Sequence, residues 1–185
     1  MTRLVLDTNV LVSGMINAFG APGRIIDHVR EGSVELVVDD RLLAEYTDVL
    51  NRPKFRTYFN AHDVRDILIF LEQNAHYVVS TIHVTNLPDP DDTPFLEVAL
   101  SAGVPLVTGN MDDFPPKLCR TADVLTPARF LERLDGSIRD LKGALGTDQN
   151  VPEPAPEVIT VTPEVSPETQ PVSNPEPDNR SEGHV

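Results

Sequence analysis

The chain opens on Leu4-Val5-Leu6, an aliphatic run that ends abruptly in Asp7-Thr8-Asn9. Near-continuous aliphatics with polar residues at the carboxyl end read as a buried parallel strand. Val10 to Ile16 is apolar again, with Ser13 and Gly14 interposed, and predicts the start of a helix. Pro22 to Arg30 carries Ile25, Ile26 and Val29 at helical spacing, and Gly32 stops it. Val34 to Val38 predicts a second strand. Asp39 or Asp40 can then cap a helix holding Leu42, Leu43, Tyr46, Val49 and Leu50, which ends before Pro53. Asn60 to Ala75 gives an amphipathic helix with Val64, Ile67, Leu68 and Leu71 on one face, and Tyr77 to Val79 a short strand. Pro88-Asp89-Pro90-Asp91-Asp92 reads as loop, after which Asp91 or Asp92 can cap a helix that runs through Leu100 and stops at Gly103. Leu106-Val107 and Val124-Leu125 are the remaining strands, and Pro127 to Leu134 the last helix, with proline in its first turn.

Strands and helices alternate throughout, which predicts an α/β fold: a parallel sheet covered by helices on both faces. The alternation ends near Gly136. Residues 148–185 hold eight of the 17 prolines and eight acids against a single base, Arg180. With few aliphatics and no aromatics, such a segment cannot offset the ~1–2 kcal/mol per residue of backbone ordering entropy. The expected organisation is a folded domain over 1–142 and a disordered acidic, proline-rich tail over 143–185.

Charge narrows the function. Residues 1–146 carry 14 Lys and Arg against 21 Asp and Glu, a net −7. That balance argues against holding duplex DNA by neutralising many phosphates. A polyanion would be contacted locally, or a divalent cation would supply part of the positive charge. Cys119 stands alone, so no internal disulfide forms, and neither a signal-peptide pattern nor a ~20-residue apolar span is present. A cytoplasmic protein without a membrane partner is expected.

In open parallel sheets, ligands gather at the carboxyl ends of the strands. Two such ends are polar and acidic here: Asp7-Thr8-Asn9, and Thr108-Gly109-Asn110-Met111-Asp112-Asp113. Asp92 opens the helix that leads into the second of them. Glu45 sits in the first half of its helix among Leu42, Leu43 and Tyr46, close to the buried face. Each acid alone has a structural explanation as a cap, a helix-surface residue or a solvated loop. Carboxylates gathered at one rim repel one another, and a hard divalent cation, Mg²⁺ or Mn²⁺, reverses that balance. The five histidines are scattered and show no zinc spacing.

Four motifs, in this order, resemble the PIN domain family: Leu6-Asp7-Thr8-Asn9-Val10; Glu45 in a helix; Asp89-Pro90-Asp91-Asp92 before Phe95-Leu96-Glu97-Val98-Ala99; and Val107-Thr108-Gly109-Asn110 with Asp113-Phe114. The likeness spans about residues 3–134 and is greatest to the VapC-like toxins of bacterial toxin–antitoxin pairs. It implies a three-layer α/β/α sandwich around about five parallel strands, a homodimer, and metal-dependent hydrolysis of RNA leaving 5′-phosphate and 3′-hydroxyl ends. It carries the family's acidic positions onto Asp7, Glu45 and Asp92, the last because it stands three residues before Phe95 and eleven before Gly103. Asp7 and Asp92 are the implied metal ligands, and Thr8, Asn9, Thr108 and Asn110 the supporting polar residues. Many relatives have Asp where this chain has Asn110, so Asp113 takes the fourth catalytic place, with Asp112 as a fallback. An antitoxin would silence such an enzyme by filling the groove.

Competing expectations are a catalytically decayed interaction module whose acidic tail is the working part, a solitary RNA-processing nuclease, and a phospho-accepting aspartate. The last needs a nearby lysine, and Lys54, Lys117 and Lys142 offer no evident one. Arg41, Arg52, Lys54 and Arg56 flank the Glu45 helix and could guide an RNA backbone or, equally, form a solvated basic face. The nuclease reading requires Asp7, Glu45, Asp92 and Asp113 to share a pocket about one cation wide.

Overall fold

A computed structural model describes residues 1–119 and 121–145, apart from the side chains of 141–145. The expected disordered tail lies outside the described residues except for 143–145, which end a helix. Five strands form the sheet: β1 (Thr2–Leu6), β2 (Val34–Val38), β3 (His76–Tyr77), β4 (Leu106–Val107) and β5 (Val124–Leu125). Their order is β3-β2-β1-β4-β5 and every pairing is parallel. The three aliphatics of β1 are fully buried, as a strand covered on both faces requires.

Six helices cover the sheet: α1 (Thr8–Ile16), α2 (Ala21–Arg30), α3 (Asp40–Leu50), α4 (Ala61–Asn74), α5 (Thr93–Ala102) and α6 (Pro127–Leu145). α1, α2 and α6 form one contiguous group, and α3, α4 and α5 form another; α2 and α5 both lie against β2. The α1–α2 contact needs glycine. A Cβ on Gly23 would stand 2.3 Å from the Ala18 carbonyl oxygen, and one on Gly14 would stand 2.8 Å from that of Pro22. Local chemistry sets the helix ends. Asp39 caps α3 by accepting from the N–H groups of Arg41 and Leu42, and Asn60 and Asp63 form a reciprocal capping box on α4. Gly103, at φ 64°, closes α5 in the left-handed region.

Two expectations shift. α6 continues well past Leu134, because Gly136 has open space around it and interrupts no contact, while Ile138 still packs on the core. A single mid-helix glycine costs only ~1 kcal/mol. Asp92 stands at the start of α5 but makes no capping bond. Asp89 instead caps the preceding 3-10 turn Pro90–Asp92, accepting from the Asp91 N–H, and α5 starts without a side-chain cap.

Candidate active site

The chain leaves β1 for β2 and β3 on one side, then returns through α5 to β4 on the other side of β1. The carboxyl ends of β1 and β4 are therefore the point where strand order reverses, where open α/β sheets leave a crevice for ligands. The sequence places Asp7 and Thr108 there.

Asp7 is 4 % exposed and caps α1. Its Oδ1 accepts from the Asn9 N–H at 3.1 Å, and its Oδ2 accepts from Asn9 Nδ2 and Thr108 Oγ1, both at 2.6 Å. Thr108, fully buried, in turn accepts from the Asn110 N–H at 3.0 Å, and Asn9 Oδ1 accepts from the Gly109 N–H at 3.0 Å. Asn9 and Thr108 thus lace the ends of β1 and β4 together and fix the rotamer of Asp7. Thr8 serves Glu45, donating to its Oε1 at 2.8 Å across 37 residues of chain. The neighbouring Tyr46 hydroxyl donates to the Leu6 carbonyl at the end of β1, which pins α3 beside the rim. The loop after β4 turns through a 3-10 turn, Met111–Asp113, in which the Asn110 side-chain amide donates to Asp113 Oδ2. Asn110 is therefore a positioning partner of Asp113. Asp112 is exposed and takes no part in these contacts.

The carboxylates act on one another. Burial pushes Asp7 up, opposed by the hydrogen bonds from Thr108 and Asn9, and the charge of Asp113 adds to the rise. Glu45 is raised by burial, held back by the Thr8 hydroxyl, and raised again by Asp7 and Asp91, while Arg52 pulls it down. Asp92 moves furthest, to about 7, through desolvation and the charges of Asp7, Asp113, Asp89 and Glu45. Desolvation leads and like charge follows, the signature of crowded acids in a partly dry cleft.

The expected pocket one cation wide, shared by Asp7, Glu45, Asp92 and Asp113, is not what the structure shows: their common rim is wider. Among the described residues, no three His, Cys, Asp or Glu side chains are gathered at metal-binding distance. The donor set nevertheless suits a hard divalent ion that keeps most of its water. Mg²⁺ typically takes one or two carboxylates and completes its shell with solvent. Asp7 has three of its four lone-pair positions engaged, so one remains on Oδ1 for a ligand. Asp92, which makes no capping bond, is the carboxylate that would serve as the second.

A second buried acid escaped sequence reasoning. Glu97, 4 % exposed on α5, accepts from Arg41 Nη1 at 2.6 Å and from the Val84 N–H at 2.9 Å. Burial raises its pKa, but these two donors outweigh it and hold the carboxyl below its ordinary range. Arg41 also donates to Asp39 Oδ2 from Nε at 2.9 Å and Nη2 at 2.8 Å. Arg41 is therefore a tie between the start of α3 and α5, its charge engaged by two carboxylates. The signal was present in Phe95-Leu96-Glu97-Val98-Ala99, where a lone acid interrupts a run of buried residues.

Comparison with known proteins agrees with this geometry. Residues 3–112 match the PIN domain. An uncharacterized protein of the archaeon Methanocaldococcus jannaschii is 29 % identical over 111 residues, which span 60 % of this chain and 72 % of the relative. PIN domains are generally nucleases and typically use divalent metals. The match takes in Asp7, Glu45, Asp92 and Thr108 and covers more than half of the 185 residues, so the chain belongs to the PIN domain family.

Proposed function

We propose that the protein is a divalent-metal-dependent endoribonuclease, in which Asp7 and Asp92 would hold the ion and Glu45 and Asp113 would complete the site. The convergence at the sheet's switch point carries this reading: Asp7 ends β1, the Thr8 hydroxyl beside it reaches Glu45 across 37 residues, and the charges of Asp7, Asp113 and Glu45 add to the desolvation that pushes Asp92 up to about 7. A protein that only needed a stable fold gains nothing from such crowding, whereas catalytic clefts commonly show it. When bound, Mg²⁺ or Mn²⁺ supplies Lewis-acid stabilisation of the charge that develops on a phosphodiester during in-line displacement.

The chain's own residues do the rest. Asn9 and Thr108 hold Asp7 in one rotamer, Thr8 turns Glu45 towards the rim, and Asn110 orients Asp113. Glu45, half-buried and raised, is placed to accept the proton of the attacking water. The scissile bond is expected to leave 5′-phosphate and 3′-hydroxyl ends. RNA is the favoured substrate on the likeness of the motifs to VapC-like toxins, and the role of toxin silenced by an antitoxin rests on that likeness too.

The test is incubation of the full-length protein with single-stranded and structured RNA in Mg²⁺ or Mn²⁺, with the product ends sequenced. Cleavage that is lost in EDTA and in Asp7→Asn supports the enzyme. Intact RNA under every metal condition, together with no metal binding by calorimetry, overturns it in favour of an interaction module. Growth arrest on expression, relieved by the product of an adjacent gene, separates a toxin from a solitary RNA-processing nuclease.

A further inference from the structure

Many arginines of the folded part are spent on internal pairs: Arg3 with Glu35, Arg24 with Asp135, Arg41 with Asp39 and Glu97, and Arg133 with Asp123. One stretch differs. From Val49 to His62 the chain holds no Asp or Glu, yet it carries Arg52, Lys54 and Arg56 on and around the 3-10 turn that follows α3. Arg52 is half-exposed, pairs only with the solvent-facing Asp48, and its charge reaches Glu45. Lys54 Nζ lies 4.8 Å over the Phe55 ring, which stacks on Phe59 at 5.9 Å, and neither Lys54 nor Arg56 is ion-paired among the described residues.

Beside this turn lies a recess of about 330 Å³ with walls of Leu50, Phe59 and Val64 and polar groups from Asn51, Arg56 and Asn60. Its volume falls at the lower end of the small-ligand range. Asn51 spends its Nδ2 on the Thr47 carbonyl at 2.7 Å, which leaves Oδ1 as an acceptor. Asn60 spends Oδ1 on the N–H groups of His62 and Asp63, which leaves Nδ2 as a donor. One acceptor, one donor and a guanidinium between apolar walls complement the edge and faces of an unpaired base. Asn51, the C-cap of α3 six residues beyond Glu45, lies about 9 Å farther along the helix direction. That is about three nucleotides at the ~3.4 Å rise of a stacked strand.

We propose that this recess binds one unpaired nucleobase of a single-stranded RNA whose backbone runs across Arg52, Lys54 and Arg56 to the acidic rim. The proposal rests on the ribonuclease reading and adds to it a subsite that sets where the strand is cut. A base locked in a duplex cannot enter, so single strands are preferred.

The experiment measures binding of fluorescent 12-nucleotide RNAs to full-length protein carrying Asp7→Asn, by anisotropy across a salt series, beside cleavage mapping with the Asp7 enzyme. Arg56→Ala should weaken binding of every sequence about tenfold and lower the salt slope by about one. Asn51→Leu keeps the branched shape of the side chain and removes its free acceptor, and Asn60→Asp keeps the helix cap while exchanging its free donor for an acceptor. Each of these should alter base preference at one fixed position upstream or downstream of the cut, in oligonucleotides substituted one position at a time. Melting curves verify that the variants fold. Unchanged affinity, salt slope and cleavage positions in all three variants, in an enzyme that still cuts RNA, overturn the subsite and spare the nuclease. Equal affinity for duplex and single strand, or no RNA binding at all, also overturns it. Normal, base-selective binding without metal-dependent cleavage upholds the subsite and removes the nuclease reading.

Discussion

Asp92 holds its charge at a cost to the fold. Its carboxyl titrates at about 7 in the folded protein, against an ordinary 3.8. Between those values the folded chain binds a proton that the unfolded chain has lost, so this residue's contribution to stability falls as pH rises from about 4 through about 7. The site is half-buried, so solvent screening reduces the effect to about 1–2 kcal/mol. In EDTA the protein should therefore melt several degrees higher at pH 5.5 than at pH 8. Asp92→Asn should reduce that difference to the part due to Asp7 and Glu45, melt higher than the Asp92 protein at pH 8, and cut no RNA. Scanning calorimetry of both proteins at the two pH values is the check; a lower melting point for Asp92→Asn at pH 8 would refute the account. Thr108 makes the complementary case. Its hydroxyl holds Asp7 down against burial, so Thr108→Val should raise the Asp7 pKa further. Loss of such a supporting contact typically costs ~10–100-fold in activity or metal affinity. The pH–rate profile should move to higher pH, a displacement that simple misfolding would not produce.

At the scale of elements, α3 matters most, because it carries Glu45 and ends in the cationic turn. It is held at both ends of its reach: Arg41 ties its start to Glu97, and Tyr46 bonds the Leu6 carbonyl while its ring lies 6.2 Å from Phe95. Tyr46→Phe keeps the ring and removes the hydroxyl, which leaves a buried acceptor short of a partner at a cost of about 1–2 kcal/mol. Urea unfolding should register that loss, and cleavage should fall by more than stability explains, since Glu45 is the next residue. A variant with full activity would show that α3 does not need this anchor. The elements themselves were largely legible. Val34–Val38 falls where its aliphatics placed it, and α2, α4 and α5 end within a residue or two of their predicted caps. What escaped was set by tertiary contact. Neither Asp91 nor Asp92 caps α5, because a 3-10 turn capped by Asp89 intervenes, and the role of Glu97 was not legible because its partner, Arg41, is 56 residues away.

The molecule as a whole poses an electrostatic problem for an enzyme of RNA. The chain carries −14, of which residues 148–185 contribute −7: one arginine against eight acids. Strand order belonged to this scale as well. β4 and β5 have two residues each, too few to encode their neighbours, whereas the acids marking the switch point could be named because strand ends are where polar residues interrupt aliphatic runs. Repulsion between a net −7 segment and a polyanion operates within a Debye length, about 10 Å at 0.1 M salt, and fades as salt rises. A chain ending at Leu145 should keep the melting temperature of the full protein, since every core residue named above precedes that point. At 20 mM salt it should bind and cut RNA faster than the full chain, and at 300 mM the two should converge. A lowered melting temperature would instead make residues 146–185 part of the folded structure. Equal rates at both salt concentrations would show that their charge does not reach the path of the RNA.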